Sequence, residues 1–155
     1  MTPEVLRIII TVIGAAIGSL GFALVFGVEK RLFHLALIGA LLSSITYELI
    51  FFFFDNIFLS SILASGAATV FAYIVAHTCK TPATIMTIMG IIPLVPGGKL
   101  YYTMLGAVSS DMTAFSNNAK QALLIASGIA LGIIMFTSLT RAVISLIKMI
   151  SNKKA

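Results

Sequence analysis

The stretch Gly90–Met104, GIIPLVPGGKLYYTM, concentrates the residues of this chain most able to build a binding site. Pro93 and Pro96 have no N–H, so within a helix the carbonyls of Met89 and Ile92 lose their partners. Ile92 and Val95 are pushed towards extended backbone, while Gly97 and Gly98 admit left-handed or open backbone and let another group come close. The predicted product is two half-helices. The first ends near Ile91 with exposed carbonyls, and the second starts near Gly98 with exposed N–H groups. The N–H end of a helix attracts anions and the carbonyl end attracts cations. Lys99 and the hydroxyls of Tyr101, Tyr102 and Thr103 fall on the first turn of the second half, where together they suit a carboxylate. The plainer alternative is a kink or an interhelical turn with no ligand.

Glu48, in ITYELIFFFFDN, is the second candidate. A charge inside an apolar span costs roughly 2.5–3.5 kcal/mol on insertion scales, and such residues usually face a cavity or a partner. Two readings stand: a coupling or substrate-facing carboxylate, or a residue that reaches the membrane interface from about two turns inside the Asp55 end. Asp55 and Asp111 read as caps. His34 and His77 lie near the ends of apolar runs, as do Phe33 and Tyr73, and no ligand spacing joins the two histidines. Cys79 is the single cysteine, which excludes an internal disulfide and a multi-cysteine metal site. No Ser/His/Asp, Walker or zinc constellation and no cofactor motif is present. The chain is therefore expected not to be an enzyme, to hold no metal and to need no cofactor. An enzyme built on Glu48, Asp111 and the histidines would require those groups to converge from separate spans and loops.

The elements that position these residues live in a bilayer. Of 155 residues, 59% are hydrophobic and 10% charged, and the mean hydropathy is +1.11; a soluble domain carries about 25% charged residues. The formal charge of +5 does not point to nucleic acid, because most Lys and Arg sit at the ends of apolar runs without a basic stripe. That placement is the membrane protein's. About 20 apolar residues cross about 30 Å of hydrocarbon, and five stretches qualify: Val5–Phe26, Leu32–Phe54, Ile57–Thr78, Thr84–Leu105 and Ala119–Ile147. The expected fold class is all-α, a polytopic membrane protein of about five transmembrane helices in one domain over residues 1–155, with the fourth helix broken at Pro93–Gly98. Glu4 stands where a signal peptide would want positive charge, so the first stretch reads as a retained span. In the loop SSDMTAFSNNAK, Ser110 and Asp111 are of capping type, and Asn118 with Gln121 has capping-box spacing.

With five spans, Lys30, Arg31, Lys80, Arg141, Lys148, Lys153 and Lys154 fall on one side, and Arg7 and Lys120 on the other. The positive-inside rule then places the N-terminus outside and the C-terminus in the cytoplasm. A re-entrant fourth segment would reverse the second half. Small residues at one-turn spacing mark close helix approach in lipid. Such sets are Gly14, Gly18 and Gly21 in the first span, Ala64, Ala68 and Ala72 in the third, and Gly128 with Gly132 in the fifth.

The stretch IPLVPGGKLYYTMLG, with the upstream GFALVFGVEKRLFHLALIGALL, resembles the small membrane subunit of the threonine/serine exporter family. The short PxxPG motif, the aromatic after it and the following Thr-Met pair carry the resemblance, together with GF…VF and a basic residue at the end of the first span. The resemblance implies a multi-pass protein of the bacterial inner membrane that works with a larger membrane subunit of the same family. It implies export of a small carboxylate-bearing substrate: threonine or serine, or succinate in one two-subunit branch. By motif it assigns Pro93, Pro96, Gly97, Gly98 and Tyr101 to the substrate path. Lys99 stands where many relatives are expected to carry a small residue. The substrate-path candidates from both readings are Pro93, Pro96, Gly97, Gly98, Lys99, Tyr101, Tyr102 and Glu48.

The expected function is a subunit of a secondary exporter, with substrate bound near the break and moved by alternating access. A structural or assembly subunit without substrate contact is the alternative. An odd number of spans lets the chain form an inverted-topology pair with its larger partner, or a homo-oligomer of two copies.

Overall fold

The computed structural model describes Pro3–Asn152 and is helical apart from short connections. Helix α1 spans Pro3–Val25, α2 Phe33–Phe54, α3 Ile57–Cys79, α4 Ala83–Ile91, α5 Gly97–Val108 and α6 Met112–Asn152. Single 3-10 turns at Lys30–Leu32 and Ile92–Leu94 precede α2 and follow α4. Among the described residues, α1, α2, α3 and α6 are long and apolar enough to cross a bilayer, and the bent α4–α5 pair makes a fifth span when taken as one. The chain is thus the all-α polytopic protein its sequence predicts, with the break in the fourth segment. Lys153 and Lys154 of the basic tail lie outside the described residues, as do the side chains of Arg7 and Lys148.

The short connections are closed by local chemistry. After α1, Gly27 takes the left-handed conformation (φ 63°). Gly27 N–H bonds the Leu24 carbonyl and Val28 N–H the Ala23 carbonyl, at 3.2 and 3.0 Å, the pattern that ends many helices at a glycine. Asp55 ends α2 in the same left-handed region, and the Asn56 side chain accepts from Leu59 N–H to start α3. Asp111 caps α6, its carboxylate accepting from the N–H groups of Thr113 and Ala114 at 3.1 and 3.0 Å. This corrects the expected start at Ala119: α6 begins at Met112, so Asn118 and Gln121 lie inside it. Asn118 turns its amide back onto the Ala114 carbonyl at 2.8 Å.

Helix α3 is the centre of the bundle and packs on α2, α4 and α6; α1 lies against α2 and α4, and α5 chiefly against α6. Small residues allow the close approach that van der Waals packing in lipid requires. A Cβ on Gly128 would stand 2.7 Å from the Ser61 Cβ, and one on Gly132 2.5 Å from the Ile62 carbonyl oxygen. A Cβ on Gly66 would run into the Phe136 ring. The Gly14, Gly18 and Gly21 stripe behaves differently. No heavy atom of another residue lies within 4 Å of a Cβ built there, beyond the neighbours in its own helix. That stripe does not serve packing within the chain.

The α3–α6 contact also fixes direction. Ser61 meets Gly128, Ile62 and Ser65 meet Gly132, Gly66 meets Phe136, and Tyr73 bonds Arg141. Both numbers rise together, so α3 and α6 run parallel. Two parallel spans need the chain between them to return to the starting end of the bundle, and α4–α5 makes that passage.

Candidate functional site

The two halves of the fourth span meet at 54°. Pro93 follows Ile92 into the 3-10 turn, and Val95 N–H closes that turn onto the Ile92 carbonyl at 3.2 Å. Pro96 then sits at φ −78°, ψ 53°, with Gly97 N–H on the Val95 carbonyl at 2.8 Å. That is an inverse γ-turn, and it supplies the bend. Gly97 and Gly98 are right-handed and form the first turn of α5; among the described glycines only Gly27 has positive φ. The left-handed freedom expected of Gly97 and Gly98 is therefore not what the fold uses.

The carbonyl end of the break is closed, which corrects the expected exposure. The Ser19 hydroxyl on α1 donates to the Met89 carbonyl at 3.3 Å, and the Ser43 hydroxyl on α2 donates to the Gly90 carbonyl at 2.5 Å. Both serines are fully buried. Pro93 removes the helical partner of Met89, and a hydroxyl from a neighbouring helix replaces it, as unpaired backbone in a membrane requires. The sequence shows the orphaned carbonyl, but nothing in it links position 19 to position 89.

The N–H end is open. Gly97 and Gly98 are exposed, and a Cβ on either would have no heavy atom of another residue within 4 Å beyond its neighbours in the helix. A helix supplies no acceptor for its first N–H groups, so Gly98 and Lys99 present theirs at this surface. Lys99 is half-buried, and Thr103 turns its hydroxyl back onto the Lys99 carbonyl at 2.7 Å. Tyr101 and Tyr102 are 62% and 55% exposed and meet edge to face with centroids 5.4 Å apart. Lys99, Gly97, Gly98 and the two tyrosines thus share the first turns of α5. Glu48 is half-buried on α2, beside Tyr47.

The break is closer to one end of the bundle than its place in the sequence implies. Gly90 packs against Ala68, and Leu94 shares an apolar cluster with Ala64, Ile125 and Ile129, into which Tyr47 and Ile57 pack. Ala64 is two turns from the start of α3, about 10 Å along the helix. The α5 N-terminus therefore lies towards the α2–α3 turn. A cavity of about 550 Å³ opens there, lined by Val95, Pro96, Leu100, Ala122, Ala126 and Ile129. Its walls are apolar, and the polar groups of the first α5 turn lie beside it.

The remaining candidates do not join this site. Asp111 caps α6, and Cys79 and Phe33 pack at the other end with Val28, Leu32 and Val75. His77 lines a separate groove between α3 and α6. No three of the described His, Cys, Asp and Glu side chains group as metal ligands. Missed by sequence reasoning is the hydroxyl ladder of α3: Ser60, Ser61, Ser65 and Thr69 are fully buried, each bonded to the carbonyl four residues earlier. Four hydroxyls in ten residues of an apolar span were the available signal.

A family model described as Threonine/Serine exporter, ThrE, matches residues 11–139. No curated protein and no solved structure matches the chain.

Proposed function

The chain belongs to the threonine/serine exporter family, and from that premise we propose that it is one subunit of a secondary exporter of small carboxylate-bearing metabolites. Threonine and serine are the first substrates to test, and succinate the dicarboxylate alternative. The observation that carries the site is the asymmetry of the break: its carbonyl end is sealed by Ser19 and Ser43, while its N–H end is open. An open helix N-terminus with a lysine on its first turn favours an anion. Substrate carboxylate would meet Gly98 N–H, Lys99 N–H and the Lys99 ammonium, with Tyr101 and Tyr102 beside them. Glu48, on α2, is the candidate coupling carboxylate.

Orientation is part of the proposal. Parallel α3 and α6 support five crossings, which put the two termini on opposite sides. The end carrying Lys30, Arg31 and Lys80 would face the cytoplasm of a bacterial inner membrane. The N–H end of α5 would then lie towards the outer face, where an exporter releases its cargo. The open Gly14–Gly21 face of α1 supports a second membrane partner, a larger subunit of the same family in inverted topology or a second copy of this chain.

An assembly subunit without substrate contact is the second reading, favoured by the apolar walls of the cavity at Pro96. Export of labelled threonine, serine and succinate from cells expressing the chain with the larger subunit separates the two. Loss of export in Lys99→Gln and Gly98→Val with the two subunits still co-purifying supports substrate contact. Wild-type export in both variants leaves the assembly role.

A further inference from the structure

Arg141 lies within the apolar run of α6 and is held by α3: its Nε–H donates to the Tyr73 hydroxyl at 3.0 Å. The side chain is exposed on the bundle surface. An ion pair joins Arg31 to Glu29 in the exposed turn before α2. No described carboxylate answers Arg141. Tyr73 is six residues, about 9 Å, from the end of α3, so this guanidinium sits inside the span.

Beside the Arg141–Tyr73 bond, α3 and α6 part to leave a groove of about 570 Å³ lined chiefly by Tyr73, Ile74, His77, Leu139, Val143 and Ile144. It runs towards the basic end of the bundle, where Lys80 ends α3 and Leu32, next to Arg31, shares an apolar cluster with Cys79. A guanidinium has five N–H donors in a planar fork. Tyr73 takes the one on Nε, and the terminal nitrogens remain as the pair that matches two oxygens of a phosphate. On the midplane side of the Arg141–Tyr73 pair the groove is lined by Val70 and Leu139, which suit a hydrocarbon chain and not a polar metabolite.

We propose that this groove is a binding site for an anionic glycerophospholipid, with the phosphate on Arg141 and one acyl chain running inward against Val70 and Leu139. Tyr73 is the positioning residue that aims the guanidinium, and His77 and Lys80 add donors at the headgroup level. Basic pockets between transmembrane helices near the cytoplasmic surface take such headgroups. Because the groove faces lipid, its occupant is drawn from the solvent of the protein, and the charge selects which lipid stays. The site is independent of the transport reading: it lies at the opposite end of the bundle from the α5 N-terminus.

The test uses the full chain in nanodiscs holding equal amounts of dioleoylphosphatidylglycerol and dioleoylphosphatidylcholine, with native mass spectrometry of the lipids retained on release. The wild type keeps phosphatidylglycerol in preference. Arg141→Gln lowers that preference about fivefold, the effect of one basic residue at an anionic surface. Arg141→Lys, which keeps the charge and loses the fork, lowers it less, and Lys120→Gln at the opposite end leaves it unchanged. Val143→Trp, which fills the groove, lowers retention of both lipids. If Arg141→Gln does not fold by circular dichroism, Arg141→Lys and Val143→Trp decide. Equal retention of both lipids by the wild type overturns the proposal. So does an unchanged preference in the Arg141 variants, unchanged retention in Val143→Trp, or an equal loss in Lys120→Gln.

Discussion

The Ser43 hydroxyl on α2 donates to the Gly90 carbonyl on α4 at 2.5 Å, in a fully buried contact between two apolar helices. Gly90 itself is in close contact there, a Cβ on it lying 3.0 Å from that of Ala68. The bond therefore ties the last turn of α4 to the core just before the backbone breaks. Ser43→Ala leaves a buried acceptor without that donor, a cost of about 1–3 kcal/mol in general and nearer about 0.6 kcal/mol where the membrane-embedded unfolded state finds other partners. Thr46→Ala is the control, since Thr46 bonds the Leu42 carbonyl of its own helix at 2.7 Å. Denaturant titration in micelles is expected to show a lower midpoint for Ser43→Ala than for Thr46→Ala. Equal midpoints would mean that the interhelical bond contributes nothing.

The glycine pairs of α1 and α6 look alike in sequence and are expected to respond oppositely. Gly128→Leu and Gly132→Leu drive a side chain into Ser61, Ser65 and the α3 backbone. Overpacking of this kind costs about 1–3 kcal/mol or more, and both variants should lose monodispersity in size-exclusion chromatography. Gly14→Leu and Gly18→Leu meet open space and should leave the isolated chain folded. If the α1 face holds the second subunit, they reduce its co-purification. A Gly14→Leu chain that unfolds by itself would contradict the packing described here.

The parallel register of α3 and α6 makes a topological prediction. Reporter fusions at the N- and C-termini should report opposite sides of the membrane. Single cysteines at Ser110 and Lys30 in a Cys79→Ala background should be labelled by impermeant reagents from opposite sides. Both termini on one side would require α4–α5 to turn back within the membrane, and would break the register of Ser61, Gly66 and Tyr73 with Gly128, Phe136 and Arg141.

How much of this was legible in the sequence follows from the range of each interaction. Span positions rest on runs of apolar residues, and Ile57–Cys79 differs from its expected end by one residue. Pro93 and Pro96 announce a break because a missing N–H is a property of the residue alone. What replaces the lost partner is not local. Ser19 reaches Met89 across 70 positions, and Tyr73 reaches Arg141 across 68. The same limit explains the glycines: small-residue spacing marks a surface fit for close approach, but Gly14 and Gly132 differ only in whether a helix lies opposite. The depth of the break escapes the sequence for a related reason. Counting residues along the fourth segment puts Pro93 at its middle, whereas Leu94 is level with Ala64, near the start of α3.

At Gly97 and Gly98 stability and function separate. Both are helical residues of right-handed φ, and an added methyl meets no other residue's heavy atoms within 4 Å beyond its neighbours in the helix. Glycine in a helix costs about 0.5–1 kcal/mol relative to alanine, so Gly97→Ala and Gly98→Ala should leave the unfolding midpoint unchanged or raise it. If the α5 N-terminus receives a substrate carboxylate, the methyl stands between that carboxylate and the N–H groups, and export should fall. Larger side chains extend the series: Gly98→Val should abolish export while subunit assembly persists. Pro96→Ala acts differently, because it restores an N–H and relaxes the γ-turn held by Gly97 N–H and the Val95 carbonyl. It should lower export by changing the bend and leave the Gly98 surface clear. Export that survives Gly98→Val in a folded, assembled complex would move the substrate path away from the α5 N-terminus and leave Pro96 with the shape of the span alone.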